Sequence, residues 1–336
     1  MTDELSSGRK PWLHLILFLV TLLTTTVAGA VQNGANPLAE PWEILSGLPF
    51  AVTLMSILLV HEMGHYLTSR YHGVKASLPY FIPAPSFIGT FGAFIRMQSS
   101  PPNRRSLFDV AAAGPLAGLA LAVPAVIVGF QLSTVAPQEP SGGGITLGSS
   151  LLLSALSKFT LGVLPADANI VLHPIGFAGW IGLLVTAMNL LPAGQLDGGH
   201  VTYALFGQRY IWVSRLTVLS ILTLGVMRWW DGWLIWGLLL LFMGVRHPLP
   251  LDPDTPLDAK RKFLGWFLLA TLAVTFIPVP FSFQEAEVEE EEQRYAPEAP
   301  EPGQKVRGKE ILDERAIELA SILHDHHAPG GRALHL

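Results

Sequence analysis

LPFAVTLMSILLVHEMGH, residues 48–65, joins an apolar run without a charged residue to the motif His61-Glu62-Met63-Gly64-His65. On a helix, residues four apart leave the same face, so the imidazoles of His61 and His65 can share one zinc ion, with Glu62 beside them to handle the proton of a bound water. Histidines that match this spacing by chance are the alternative, but each ionisable residue left unpaired inside a bilayer costs about 2.5 to 3.5 kcal/mol. The stretch therefore predicts a zinc centre inside a membrane.

The composition of the chain also favours a membrane bundle over two soluble domains. Half of the 336 residues are hydrophobic, 14% are charged, and the mean hydropathy is +0.42. Cysteine does not occur, so disulfides and thiolate ligands are excluded and a metal must be held by nitrogen and oxygen donors. The net charge of -5 arises in the tail, where the residues from Gln284 onward hold 13 Asp or Glu against 6 Lys or Arg. No clustered basic face indicates nucleic-acid binding.

Apolar segments of spanning length recur along the chain. Residues 12–31 are long enough to cross a bilayer, and we interpret them as an uncleaved first helix rather than a signal peptide. The last segments are short, so the number of spans is about six to seven. The further predicted spans cover residues 48–71, 107–132, 173–191, 211–227, 233–245 and 263–279. The third span includes the small residues 111–118, which suit close contact between helices.

Between the second and third spans, residues 79–97 break the helical pattern. Pro83, Pro85, Gly89 and Gly92 interrupt short apolar pieces, which favours a re-entrant β-hairpin over a spanning helix. We also expect an interfacial helix within residues 145–164. The predicted fold is thus an all-α polytopic membrane protein with a short re-entrant hairpin.

Two domains are predicted from the same reading of the chain. Residues 1–280 form a transmembrane domain with its core at about 45–206, and residues 281–336 form an acidic, mostly disordered tail. Thirteen Lys or Arg fall in loops on the side of the amino terminus and two fall on the other side. The positive-inside rule therefore places the amino terminus and the histidine end of the second helix toward the cytoplasm. Seven spans would place the tail on the opposite side, and six would reverse it.

A zinc site needs a third protein ligand, and Asp197 is the candidate. It lies in a stretch, 191–200, where Pro192 and Gly194 open the helix within an apolar region. A turn or capping aspartate is the alternative. Asn189 can donate its amide hydrogens to a substrate carbonyl, and an interhelical hydrogen bond is an equal alternative.

Other histidines carry weaker indications of function. His200 follows Asp197 by three residues and can support the metal or the transition state, although a structural role is the stronger expectation. The tail histidines are interpreted as a solvated cluster: His324, His326 and His327.

The paired motifs resemble the site-2 protease family of intramembrane zinc metalloproteases. These motifs are His61 to His65 and, far downstream, Asn189-Leu-Leu-Pro-Ala-Gly-Gln-Leu-Asp-Gly198. The stretches 89–95 and 108–115 look more particularly like the cyanobacterial and chloroplast branch, here without the PDZ or CBS domains of many members. The resemblance covers about residues 45–206.

That resemblance implies an activity and a set of roles. His61, His65 and Asp197 would bind one Zn2+ per chain, Glu62 would be the general base, and Asn189 would help to place the scissile carbonyl. The substrate would be a membrane protein cleaved within or near a transmembrane segment. The hairpin would pair with a substrate strand through Phe91, Gly92, Ala93, Phe94 and Ile95, or more broadly through residues 91–97.

Two other functions and the location remain to be weighed. A secondary transporter should show two related halves, and the hairpin has no counterpart elsewhere in the sequence. An inactive, substrate-binding relative should have lost a member of the His, Glu, His and Asp set. We expect a multi-pass protein in contact with the lipid bilayer, in a bacterial inner membrane or, alternatively, a thylakoid or plastid membrane. The sequence leaves the oligomeric state open.

Overall fold

The computed structural model describes residues 11–137, 144–165, 168–244, 249–284 and 334–335. Most of them are helical, which confirms the predicted polytopic fold. The helices are α1 (Pro11–Gln32), α2 (Leu48–Tyr71), α3 (Arg104–Leu132), α4 (Leu151–Leu161), α5 (Pro174–Asn189), α6 (Asp197–Phe206), α7 (Tyr210–Val226), α8 (Gly232–Met243) and α9 (Ala259–Thr275). The strands are β1 (Tyr80–Pro83), β2 (Thr90–Phe94), β3 (Thr134–Pro137), β4 (Gly144–Leu147), β5 (Ala168–Val171), β6 (Phe281–Gln284) and β7 (Leu334–His335).

Four helical stretches in the described residues are long and apolar enough to cross a membrane. They are Pro11–Gln32, Pro41–Tyr71, Arg104–Leu132 and Asp197–Val226, which contain α1, α2, α3, and α6 with α7. The helices α5 and α8 are apolar but shorter, with 16 and 12 residues. Each predicted span thus corresponds to a helix, and the two spans expected to be short are α7 and α8.

Contacts between helix ends show how the bundle runs. At one end, the carboxylate of Asp109 in α3 lies 3.0 Å from Nε2 of His72 at the end of α2 and accepts two hydrogen bonds, of 2.7 and 2.6 Å, from Arg261 in α9. At the other end, Nε1 of Trp233 at the start of α8 donates to the carbonyl oxygen of Pro278 beyond α9. Consequently α2 ends where α3 and α9 begin, as expected for successive crossings in opposite directions.

The core lies between α2, α3 and α5. Phe50, Leu54, Phe177 and Leu183 are fully buried there because apolar side chains of the three helices face one another. Glycine brings the α3 and α5 backbones together, since a Cβ placed on Gly129 would lie 2.0 Å from the Cα of Gly176. Van der Waals packing of this kind is the main source of helix association in a bilayer.

The predicted hairpin is confirmed as β1 and β2, which pair antiparallel. Helix α1 holds it in place through three polar contacts. Oγ1 of Thr24 donates to the carbonyl oxygen of Gly89 at 2.6 Å, Nε2 of Gln32 donates to that of Phe87 at 2.6 Å, and Nδ1 of His14 lies 3.1 Å from that of Pro79. Backbone groups of this non-helical segment are therefore satisfied by protein, as a membrane setting requires.

A second sheet, formed by strands that follow α3, precede α5 and follow α9, was not predicted from the sequence. Its strand order is β3-β5-β7-β4-β6, so strands from the connection between α3 and α5 pair with strands from the carboxyl-terminal part. The interfacial helix expected within 145–164 is confined to α4, because residues 144–147 pair with 281–284 instead. Most of the tail predicted to be disordered, 285–333, lies outside the described residues.

Candidate metal centre

Three side chains from distant parts of the chain converge at one point. Nε2 of His61 and Nε2 of His65 lie 3.2 Å apart, and Oδ2 of Asp197, the first residue of α6, lies 3.4 and 3.3 Å from them. All three side chains are largely buried. The resulting triangle is nearly equilateral.

The size of this triangle matches a tetrahedral zinc site. With zinc–ligand distances of about 2.0 to 2.2 Å, two ligand atoms of a tetrahedron are about 3.3 to 3.6 Å apart. Two imidazoles and one carboxylate occupy three corners and leave the fourth open, as catalytic zinc sites do. The donor set therefore fits zinc, and the group could hold one metal ion.

Helix α3 orients the histidines. Nδ1 of His65 lies 2.7 Å from the carbonyl oxygen of Val110, so this nitrogen carries the proton and donates, and the lone pair of Nε2 faces the centre. Two glycines one turn apart on α3 make room for the rings. A Cβ on Gly114 would lie 2.0 Å from Nε2 of His65, and one on Gly118 would lie 3.0 Å from Nδ1 of His61.

Asp197 reaches the centre through a tight loop, 190–196, between α5 and α6. Gly194 adopts φ +50°, a conformation that favours glycine, and its N–H donates to Oγ of Ser214 at 3.1 Å. A Cβ on Gly198 would lie 1.9 Å from the carbonyl oxygen of Leu190, so the first turn of α6 packs directly on the loop. The Pro and Gly residues that predict a break in the helix thus form the loop that sets the position of the carboxylate.

A cavity of about 450 Å³ adjoins the three donors. Glu62, 7% exposed, lines it beside the histidines. Asn189 and His200 line it as well, so the residues predicted to bind zinc, to act as the base and to place the scissile carbonyl all lie at this cavity. The further residues that line the cavity are Ala93, Phe94, Ile95, Arg96, Met97, Leu107, Val110, Ala111, Gln195 and Leu196.

The predicted substrate-binding stretch is only partly at this cavity. Ala93, Phe94 and Ile95 line it, whereas Phe91 and Gly92 do not, and the side chain of Phe91 is 74% exposed. The last two residues of β2 line the cavity, and the lining continues beyond the strand to Met97. The tail histidines His324, His326 and His327 lie outside the described residues.

Some residues at the cavity were given no role from the sequence. Gln195 is part of the motif that contains Asp197, and its spacing from that aspartate was the one signal available. Leu107 and Val110 read as ordinary apolar helix positions. Only the packing of α3 against α2 shows that they face the cavity.

The chain is similar to a known peptidase family and to proteins named as zinc metalloproteases. The family described as Peptidase family M50 matches residues 49–223. Three similar relatives are named probable zinc metalloproteases: the chloroplastic EGY1 and EGY2 of Arabidopsis thaliana and the chloroplastic EGY1 of Oryza sativa subsp. japonica. They are 38%, 33% and 40% identical over 79%, 80% and 64% of this chain, and over 52%, 48% and 41% of their own length. The chain thus spans about half the length of the curated relatives it matches.

Proposed function

This chain belongs to peptidase family M50, and we propose that it is an intramembrane zinc metalloprotease that hydrolyses a peptide bond within or near a transmembrane segment of a membrane-protein substrate. The observation that supports this most strongly is the triangle of His61, His65 and Asp197 with Glu62 beside it, in a cavity formed by apolar helices. A transporter is not favoured, since the donor set is that of a zinc hydrolase. An inactive relative is not favoured because the set is complete.

In this proposal His61, His65 and Asp197 hold one zinc ion per chain. When bound, zinc polarises the scissile carbonyl and lowers the pKa of the reacting water to about 7. Glu62 accepts a proton from that water on its carboxylate and returns it to the leaving amine. Asn189 donates an amide hydrogen to the carbonyl oxygen, where negative charge develops. His65 keeps its ligand orientation through the bond to Val110.

The extension of β2 is proposed to hold the substrate in an extended form. The N–H of Arg96 donates to Oγ of Ser77, and the N–H of Ser77 donates to the carbonyl oxygen of Arg96. Because backbone groups alternate between the two edges of a strand, those of Ile95 and Met97 face the other edge, at the cavity. A helical substrate segment must unwind before its amide can be attacked, and this edge supplies replacement hydrogen bonds.

The protein is an integral membrane protein. Which membrane contains it is part of the proposal. The relatives are named chloroplastic, which favours the plastid-type membrane over the bacterial inner membrane. We place the protease domain at residues 1–280, and strands β6 and β7 of the tail pair with its strands β4 and β5. The catalytic end faces the compartment whose loops collect Lys and Arg. A membrane-spanning substrate and the lipid bilayer are the proposed partners.

Metal analysis and cleavage of a single-span substrate test the function together. Purified wild-type protein should hold about one zinc ion and cleave the substrate, and Glu62→Gln should keep the zinc and lose cleavage, because only the base is removed. Wild-type protein that holds no zinc and cleaves no substrate would contradict the proposal. Cleavage by Glu62→Gln at the wild-type rate would remove Glu62 from the role of base.

A further inference from the structure

One polar side chain in the loop 190–196 is exposed, and it lies at the cavity. Leu190, Leu191, Ala193 and Gly194 are buried, and the neighbours Pro192 and Leu196 are half-buried, whereas Gln195 is exposed. Gln195 is also among the residues that line the cavity, so part of its exposed surface faces that cavity. A polar side chain at membrane depth is unfavourable, so its position calls for a partner.

The loop fixes the backbone of Gln195 on both sides. On one side, the N–H of Gly194 donates to Oγ of Ser214, and a Cβ on Gly194 would lie 2.4 Å from the carbonyl oxygen of Gly244. On the other side, the N–H of Leu196 donates to the carbonyl oxygen of Ala193 at 3.1 Å. The side chain therefore leaves from a held position, two residues before the Asp197 carboxylate.

The carboxamide of Gln195 has no hydrogen-bond partner in the part of the chain that the structure describes. It offers one acceptor oxygen and two donor hydrogens, the combination that a peptide unit of an extended strand also offers. A strand that pairs with Ile95 and Met97 through one edge turns its other edge away from the hairpin. The backbone groups of that second edge must also be satisfied inside a membrane.

We propose that Gln195 binds the backbone of the substrate strand at this second edge, with its Nε2 donating to a substrate carbonyl and its Oε1 accepting from a substrate N–H. This inference rests on the proposed function, because it takes the ligand to be an extended polypeptide. The hairpin and Gln195 then hold the strand from two parts of the chain, the former before α3 and the latter before α6. Because only backbone is contacted, the contribution is the same for substrates of different sequence.

The test uses a synthetic single-span peptide that the wild-type enzyme cleaves, with backbone amides near the scissile bond replaced by esters one at a time. Each ester removes one N–H. Dissociation constants are measured in a Glu62→Gln background, so that binding is read without turnover, and kcat/KM is measured with an intact Glu62. Gln195→Met keeps the length of the side chain and removes its hydrogen bonds, and Gln208→Met is the matched control at an exposed glutamine that does not line the cavity.

We expect Gln195→Met to weaken binding and lower kcat/KM about tenfold, with zinc content unchanged and with Gln208→Met equal to wild type. One ester position should weaken binding to the enzyme with Gln195 about fivefold and have no effect on Gln195→Met, since both changes remove the same hydrogen bond.

The inference would be overturned if every ester weakened binding by the same factor in the enzyme with Gln195 and in Gln195→Met. It would also be overturned if Gln195→Met bound the amide peptide as tightly as the enzyme with Gln195. If Gln195→Met lowered the zinc content, Gln195→Ala would replace it, and the ester comparison would decide because it varies the substrate on a fixed enzyme. A wild-type enzyme that cleaves but shows no coupling refutes this inference alone. A wild-type enzyme that does not cleave refutes the proposed function.

Discussion

Two polar clusters, one within α2 and one at its carboxyl-terminal end, differ in the source of their positive charge, and this difference separates a candidate metal site from a contact that joins helices. In the first, His61 and His65 meet Asp197. In the second, His72, two turns after His65, meets Asp109, which precedes the residue whose carbonyl orients His65.

The two clusters differ in whether the chain itself supplies a cation to the carboxylate. Arg261 donates two hydrogen bonds to Asp109, so the second cluster contains its own positive charge in a bidentate pair. The first cluster has no Lys or Arg among its three members, and its nitrogen and oxygen atoms converge on one another. A carboxylate and two imidazole lone pairs at such distances need a cation from outside the chain. Similar residue types thus form a candidate metal site in one place and join three helices in the other.

Substitution of each aspartate by alanine, in separate variants, should distinguish the two clusters. Asp197→Ala should lose zinc and lower activity about a thousandfold or more, because the metal supplies several kcal/mol to the transition state. Asp109→Ala should keep zinc but lose about 1 to 3 kcal/mol of stability, because Arg261 loses one of its two carboxylate partners, His72 loses its partner, and solvent offsets part of the loss. Zinc content and thermal unfolding in detergent measure both. Zinc loss in Asp109→Ala with zinc retained in Asp197→Ala would reverse the assignment.

The packing of glycine against histidine can be tested on α3 alone. Gly114→Ala should lower zinc affinity by about 100-fold or more, since the added Cβ overlaps the Nε2 of His65 and the helix backbone cannot yield without cost. Gly129→Ala makes an equally close contact, with Gly176 in the core, and should lower stability while the zinc affinity of the folded protein stays at the wild-type value. Competition with a chelator measures the affinity. Equal zinc affinity in Gly114→Ala and wild type would contradict the geometry of the centre.

Weakening the bidentate pair between Arg261 and Asp109 should have a smaller effect, which falls on stability. Arg261→Lys keeps the charge and loses the planar fork, so stability should fall by about 1 kcal/mol while activity remains. The loss should shrink when ionic strength rises, since the pair is partly exposed. Unfolding temperatures at low and high salt measure it, with the exposed Lys262→Arg as a control. A loss that is independent of salt would show that packing, and not charge, is what Arg261 contributes.

The smallest expected effect is on the acid dependence of stability, through Asp258, which is hydrogen-bonded to Arg261 of the second cluster. The backbone N–H of Arg261 donates to the carboxyl of Asp258, the N-cap residue of α9, and this bond lowers the pKa of that carboxyl below its ordinary value. A lowered pKa contributes stability that is present above the unfolded value, near 4, and is lost as the pH falls through the folded value. Asp258→Asn should therefore flatten the stability curve in that acid range. An unchanged acid limb in this variant would show that other carboxyls govern it.

Much of the fold and site follows from local patterns. The spans and the hairpin could be predicted, because helix periodicity, hydropathy and Pro/Gly interruptions act over a few neighbouring residues. The same local patterns selected His61, Glu62, His65 and Asp197, which the structure brings to one cavity. The sheet of β3 to β7 could not, since its strands have two to four residues each and three of its four strand pairings join segments more than a hundred residues apart. Strands so short carry little signal of their own.

The sequence by itself determined that two imidazoles share a helix face, that the helix lies in a membrane, and that Asp197 stands in an opened segment. Only the tertiary structure decided that three donors lie 3.2 to 3.4 Å apart, that glycines of α3 make room for the rings, and that Gln195 reaches the same cavity. The physical reason is the separation along the chain of the residues that determine each feature. Periodicity is set by the backbone over one or two turns, whereas a metal site needs atoms from helices far apart in the chain, and their separation is fixed by how closely the backbones can pack.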